Sequence, residues 1–198
     1  MKKFLLISFL ALAVSGMLYA ETSDNSSGES GLSLGAFVEY QPAMGPLADY
    51  VNASFGGGAV VEYILPFLSN DGFALGISGH VSGNVNPVSS ELLSFMWNIK
   101  GAAGIFAKIH LGQTAFYLVP EVSYGAVINF PTTNPKYENE LAAMYVDQMI
   151  QVAAGIRFNP SFLGGKLEFE AAPVYTLCTE QTEMVHYLGA RVGFLIKL

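Results

Sequence analysis

Five carboxylates and four strong bases stand in otherwise small or apolar stretches of this chain: Glu39, Glu62, Glu121, Glu168 and Glu170 against Lys100, Lys108, Arg157 and Arg191. Charges of both signs on one enclosed face must pair, because an ionised group away from water is costly unless it is compensated. Glu62, Lys100, Glu121, Glu170 and Arg191 are read as one such network. With the seventh inter-strand turn centred at residues 180 to 181, Glu170 and Arg191 face each other directly across a hairpin. The network has two readings: a salt-bridged plug that gates a narrow pore, or a static polar core. The static core is the plainer of the two, since the charges must pair whether or not anything passes.

Other chemistry finds little support. His80, His110 and His186 fall on different segments, with no carboxylate at metal-ligand spacing, so no zinc site is expected. His186 lies where a lipid-modifying barrel would carry a Ser/His/acid set, yet no Ser and acid accompany it, so no catalytic residues and no cofactor are assigned. Asp49, Glu91, Glu138, Glu140, Glu180 and Glu183 outnumber Lys136 in the connections, a charge suited to divalent cations or a basic partner. Met44, Pro46, Leu47, Tyr50 and Val51 make the first connection apolar; Met44, Leu47, Tyr50 and Val51 are the candidate contacts for a ligand or an extracellular partner.

The elements that place these residues are short and alternate in polarity, the signature of barrel strands of roughly ten residues. Eight are predicted, near 31–41, 56–66, 72–83, 94–110, 114–128, 145–158, 166–177 and 184–198. In the last, Leu188, Ala190, Val192, Phe194, Ile196 and Leu198 share one face, and Arg191, Gly193 and Lys197 the other. In the seventh, Leu167, Phe169, Ala171, Tyr175 and Leu177 oppose Glu168, Glu170 and Thr176, with Pro173 predicting a local bulge or irregularity. Connections 66–71, 111–113 and 159–165 are compact, whereas 42–55, 84–93 and 129–144 are longer, as in barrels with short periplasmic turns and long outer loops. Aromatic residues gather near strand ends, where interface girdles form.

The N-terminus reads as an export signal over 1–20, with Lys2 and Lys3 before the apolar run Phe4 to Val14. Residues 21–30 are acidic and Ser-rich, predicting a disordered leader, and 31–198 form one barrel domain. Removing Lys2 and Lys3 leaves seven basic residues against sixteen acidic ones, a net charge of −9. That balance argues against nucleic acid as a partner. Mean hydropathy is +0.40 and 52% of residues are hydrophobic, yet the chain after the signal has no apolar run of the 18 or more residues a spanning helix needs. A lipid-facing sheet uses apolar residues in this dispersed way; a soluble periplasmic binding barrel is the other reading.

The ending Arg191-Val192-Gly193-Phe194-Leu195-Ile196-Lys197-Leu198 resembles the C-terminal insertion signal of membrane barrels, with Arg191, Gly193, Ile196 and Leu198 at its defining positions. It departs from the bacterial pattern by finishing on Leu198 instead of an aromatic. With the export signal, length and eight strands, the chain is similar to the small outer-membrane barrels of the OmpW, OmpX and OmpA transmembrane-domain type. The resemblance implies an all-β, eight-stranded antiparallel up-and-down barrel, integral to the outer membrane of a diderm bacterium. It implies contact with outer-membrane lipids and the barrel-assembly machinery. The expected function is a narrow or closed channel for small or hydrophobic solutes; the alternative is a surface adhesin or structural envelope protein acting through its outer loops.

Overall fold

The computed structural model describes residues 31–49, 51–70, 72–89, 93–112, 114–134, 136, 143–179 and 184–198. The export signal, the leader and parts of the outer connections lie outside them. Eight strands make up most of the described chain: β1 (Gly31–Met44), β2 (Ala53–Asn70), β3 (Phe73–Pro87), β4 (Leu93–His110), β5 (Phe116–Thr133), β6 (Tyr145–Phe158), β7 (Leu167–Thr179) and β8 (Met184–Lys197). Each pairs antiparallel with its sequence neighbour, and β8 closes onto β1. No described helix is long and apolar enough to cross a membrane.

The strand registers lock the barrel into a definite shape. One row of inward positions passes from Ser33 through Glu62, Ser78, Gly104, Ser123, Gln151, Thr176 and Tyr187, then returns to β1 at Ala43. The row therefore climbs ten residues per circuit. For eight strands such a stagger corresponds to a strand tilt of about 40° and an interior that side chains fill.

Polarity is inverted relative to a soluble barrel. Leu34, Val38, Phe55, Val81, Ile99, Ile105, Val122, Val152, Val192 and Phe194 are exposed on the outside, while Glu39, Glu62, Asn84, Lys100, Lys108, Glu121, Arg157, Glu168 and Arg191 are buried inside. A paired outward row Tyr40, Phe55, Val85, Trp97 and Phe130 crosses five strands towards the outer end. Phe73, Phe116, Phe169 and Phe162 are exposed near the opposite end. Two aromatic bands enclosing aliphatic side chains are what hydrocarbon and its two interfaces select.

One local expectation is corrected, and the other, at Pro173, is met as an irregularity without a bulge. Residues 66–70 belong to β2, and the reversal comes only after Asn70, whose Oδ1 accepts from the Gly72 and Phe73 amides at 3.0 Å each. The Pro66 turn signal instead marks a bulge: pairing jumps from Ile64↔Gly76 to Ser69↔Ala74, because proline has no N–H for the ladder. At Pro173 the ladder to β6 lapses between Ala153↔Val174 and Ile156↔Ala171 without any change of register. The missing donor costs hydrogen bonds there and produces no bulge.

Small residues make room for the large inward ones. A Cβ at Gly76 would overlap the Phe106 ring, which packs across the β3–β4 pair. Gly76→Val should therefore lower stability by about 1–3 kcal/mol, read as a fall in the urea midpoint of the refolded barrel. Gly83→Ala, where an added Cβ meets nothing, should leave the midpoint nearly unchanged.

Candidate functional site

The lumen is the most elaborate site in the molecule, and Arg157 on β6 is its hub. Its guanidinium has five N–H donors, and all five are used. Nη1 and Nη2 take Glu62 in a bidentate pair at 2.8 Å each. Nε donates to Glu170 at 3.1 Å, Nη2 also reaches Glu170, and Nη1 donates to Glu168 at 3.5 Å. Glu168 also accepts Lys108 at 2.7 Å and Lys197 at 3.0 Å. The alternation of β7 sends Glu168 and Glu170 inward together, two residues apart on one face.

Arg191 continues the network upward, donating to Glu170 at 3.1 Å and Glu121 at 2.9 Å. Glu121 further accepts Ser78 Oγ at 2.5 Å and contacts His80 Nε2. The other ring nitrogen, Nδ1, lies 3.4 Å from Arg191 Nη1. An Nε2–H tautomer satisfies both contacts, donating to Glu121 and accepting from Arg191. Four carboxylates thus meet Lys108, Arg157, Arg191 and Lys197, so the connected charges cancel.

A second knot lies nearer the outer end. Glu39 accepts Lys100 Nζ at 2.9 Å, Asn84 Nδ2 at 2.6 Å and Gln41 Nε2 at 2.9 Å. Ser54 Oγ accepts from Asn84 at 2.9 Å and Lys100 at 3.3 Å. Above it Val127, Met149, Cys178, Val185 and Tyr187 form a buried apolar cluster, with Ala43, Val51 and Ala102 against it. The voids left around Phe37 are small, about 10 Å³ each, room for about one water molecule. Around Phe37 the described side chains leave no wider space.

Glu62, Glu121, Glu170 and Arg191 are connected, two of them through Arg157, which belonged to the inward set but was given no role in the network. Lys100 is not part of that network: it serves Glu39, on the far side of the lumen. Glu170 and Arg191 are not directly opposite either. β7 and β8 pair as Glu170↔Gly193 and Ala172↔Arg191, two residues from the expected register, and the ion pair forms diagonally. His80 is the member that sequence reasoning missed, although it shares the inward parity of Ser78 and Ser82.

The outer candidates separate. Met44 is exposed at the top of β1, whereas half-buried Val51 bridges Val88 and packs against the inner apolar cluster. Tyr50 and the Leu47 side chain lie outside the described residues. His186 faces outward and meets Tyr175, whose hydroxyl is 2.5 Å from Nδ1. In the C-terminal segment, Arg191 is spent inside the lumen, Gly193 admits Phe37, and Ile196 and Leu198 are exposed.

No family model matches the chain, and no curated protein does. Solved structures do. Neisserial surface protein A (NspA) superposes with a TM-score of 0.54 at 10% identity, covering 85% of this chain and 98% of that one. Ail, the attachment invasion locus protein of Yersinia pestis, gives 0.49 at 14% identity, over 86% and 100%. The N-terminal β-barrel domain of Pseudomonas aeruginosa OprF gives 0.41 at 16% identity, over 85% and 100%. At such identities the likeness is one of fold, and the NspA superposition carries it. With polarity and topology in agreement, the chain has the fold of the small eight-stranded outer-membrane β-barrels.

Proposed function

We propose that this protein is an integral outer-membrane barrel that works at its outer rim, as a binding or attachment protein, and that its lumen conducts no solute. The observation that carries this reading is the filled interior. Two ion-paired knots and an apolar cap occupy successive levels, and the two voids beside Phe37 hold about one water molecule each. A transport path would have to break several charge-assisted bonds at once, each more costly to open in a low-dielectric lumen than in water.

The rim supplies the other half of the case. Met44, Met144 and Met184 are all exposed at outer strand ends, and methionine is suited to adaptable contacts. Met44 pairs in register with His186, and Met184 lies two residues before it on β8. Met44 borders the first connection, whose Leu47 and Tyr50 add apolar character in sequence. In this reading the C-terminal segment is the contact for assembly machinery, and lipids cover the belt.

Two measurements test the proposal. In liposomes the mature chain should pass no small solute above empty vesicles, and Glu170→Ala should leave bilayer conductance unchanged, as a static core requires. On cells, attachment to host surfaces should fall when residues 45–50 are replaced by a Gly/Ser segment. Solute flux that survives the same replacement would overturn the reading in favour of a channel.

A further inference from the structure

The outer third of the lumen holds a band of polar groups that touches the ion-paired knots only where Asn84 donates to Glu39. Asn84, Asn86, Asn98, Asn129 and Asp147 all face inward, and all are buried. Asn84 is directly opposite Asn98, and Asn98 directly opposite Asn129, so three carboxamides cross β3, β4 and β5 in one line. Asp147 on β6 stands one inward position below the line, opposite Val127, and accepts Asn129 Nδ2 diagonally at 2.7 Å. Asn86 is one inward position above Asn84 and diagonal to Asn98.

The band is short of partners. Asn86 is 1% exposed, and neither its oxygen nor its nitrogen has a hydrogen-bond partner among the described residues; Asn98, 3% exposed, leaves its oxygen unpartnered, as does Asn84. Asp147, 5% exposed, has the one bond from Asn129, and no described basic group pairs with it. Lys100, one inward position below Asn98, is already neutralised by Glu39. A buried carboxylate with one donor, in the same band as three unpartnered carbonyl oxygens, is under-compensated.

The geometry points to a calcium site at the outer mouth of the lumen, with Asp147 as its charged ligand and the carboxamide oxygens of Asn86, Asn98 and Asn129 as neutral ones. Calcium takes six to eight oxygen ligands from carboxylates, amide carbonyls and water in flexible geometry, and sites with few charges bind at roughly 10⁻⁴ to 10⁻³ M. Thiolate or imidazole metals would find none of their preferred donors in this band. For Asn129 the ion replaces the present Asn129–Asp147 bond by rotating the amide so that its oxygen faces inward. The site is independent of any partner held by the rim. It would tie β3, β4, β5 and β6 together where the barrel opens to the exterior.

The test uses the full mature chain refolded into phosphatidylcholine liposomes, which removes anionic headgroups as competing ligands. Terbium luminescence sensitised by Tyr145, whose backbone pairs with Asn129, should rise on adding terbium chloride and be displaced by calcium at submillimolar to millimolar concentration. Asp147→Asn should weaken binding by about tenfold or more. Asn98→Ser should weaken it less, and serves if Asp147→Asn fails to fold. Asp49→Asn combined with Glu138→Gln and Glu140→Gln should leave the signal intact. A signal equal in wild type and the band variants, a signal lost only in the loop variant, or the absence of any calcium-displaceable signal would each overturn the site and leave the band to water.

Discussion

Arg157→Ala should destabilise the refolded barrel by about 3–5 kcal/mol, the cost of leaving buried charge uncompensated. The substitution strips Glu62 of both its bonds and removes one partner each from Glu168 and Glu170. Glu168 keeps Lys108 and Lys197, and Glu170 keeps Arg191, so Glu62 carries most of the penalty. Equilibrium urea unfolding, followed by the mobility difference between heated and unheated samples, reads the change. Arg157→Lys should recover only part of the loss, because an ammonium cannot reproduce the planar bidentate fork. Arg157→Ala combined with Glu62→Gln should be less damaging than the sum of the two single changes, since the stranded charge goes with its partner.

Ile105→Arg should cost about 2–4 kcal/mol in lipid, the penalty for a basic side chain near the midplane of a barrel's lipid face. Ile105 is 65% exposed on the outside of β4. It pairs with Ile77 on β3 and Val122 on β5, deep within the aliphatic belt. On a water-soluble barrel the same substitution, at so exposed a position, would be near neutral. Urea unfolding in liposomes gives the number, and Thr132→Arg, at the outer end of β5, is the matching control with a cost near zero.

How much of this was legible in the sequence depends on which physical rule wrote each feature. Strand eight shows its inversion openly, because Val192, Phe194 and Ile196 go to lipid while Arg191 goes inside, and a period of two records nothing else so clearly. Alternation fixes the face of a residue but not its depth or its partner across the lumen. Lys100 and Glu39 lie on β4 and β1, which are not neighbours, and no local pattern joins them. The Glu170–Arg191 register was misplaced because it depends on where one loop turns, and a small shift of the turn centre moves every pair beyond it.

The carboxamide band was hidden by turn chemistry. Asn84, Asn86 and Pro87 carry the residue types of a loop, which ended the third segment at residue 83, yet β3 runs on to Pro87. Inside a narrow barrel asparagine serves as a small inward polar group, and its ordinary propensity misleads. His80 has no local pattern that marks it as an ion-pair partner; its parity with Ser78 and Ser82 is the one signal of its inward face. Pro66 misled in the opposite sense, since the bulge it forces in β2 resembles a turn in sequence.

The central claim is that the apolar outside of this barrel faces lipid, and Trp97 reports on it directly. It is the only tryptophan in the chain, it is 51% exposed on the outer surface of β4, and it belongs to the outer aromatic row. The mature protein should be refolded into liposomes containing lipids brominated at graded depths along the acyl chain, and Trp97 emission recorded. The account predicts blue-shifted emission, strong quenching by bromine placed near the headgroup end of the chain, and protection from aqueous iodide. Emission indifferent to brominated lipid and open to iodide would contradict it, and would make the outside of the barrel a surface for water.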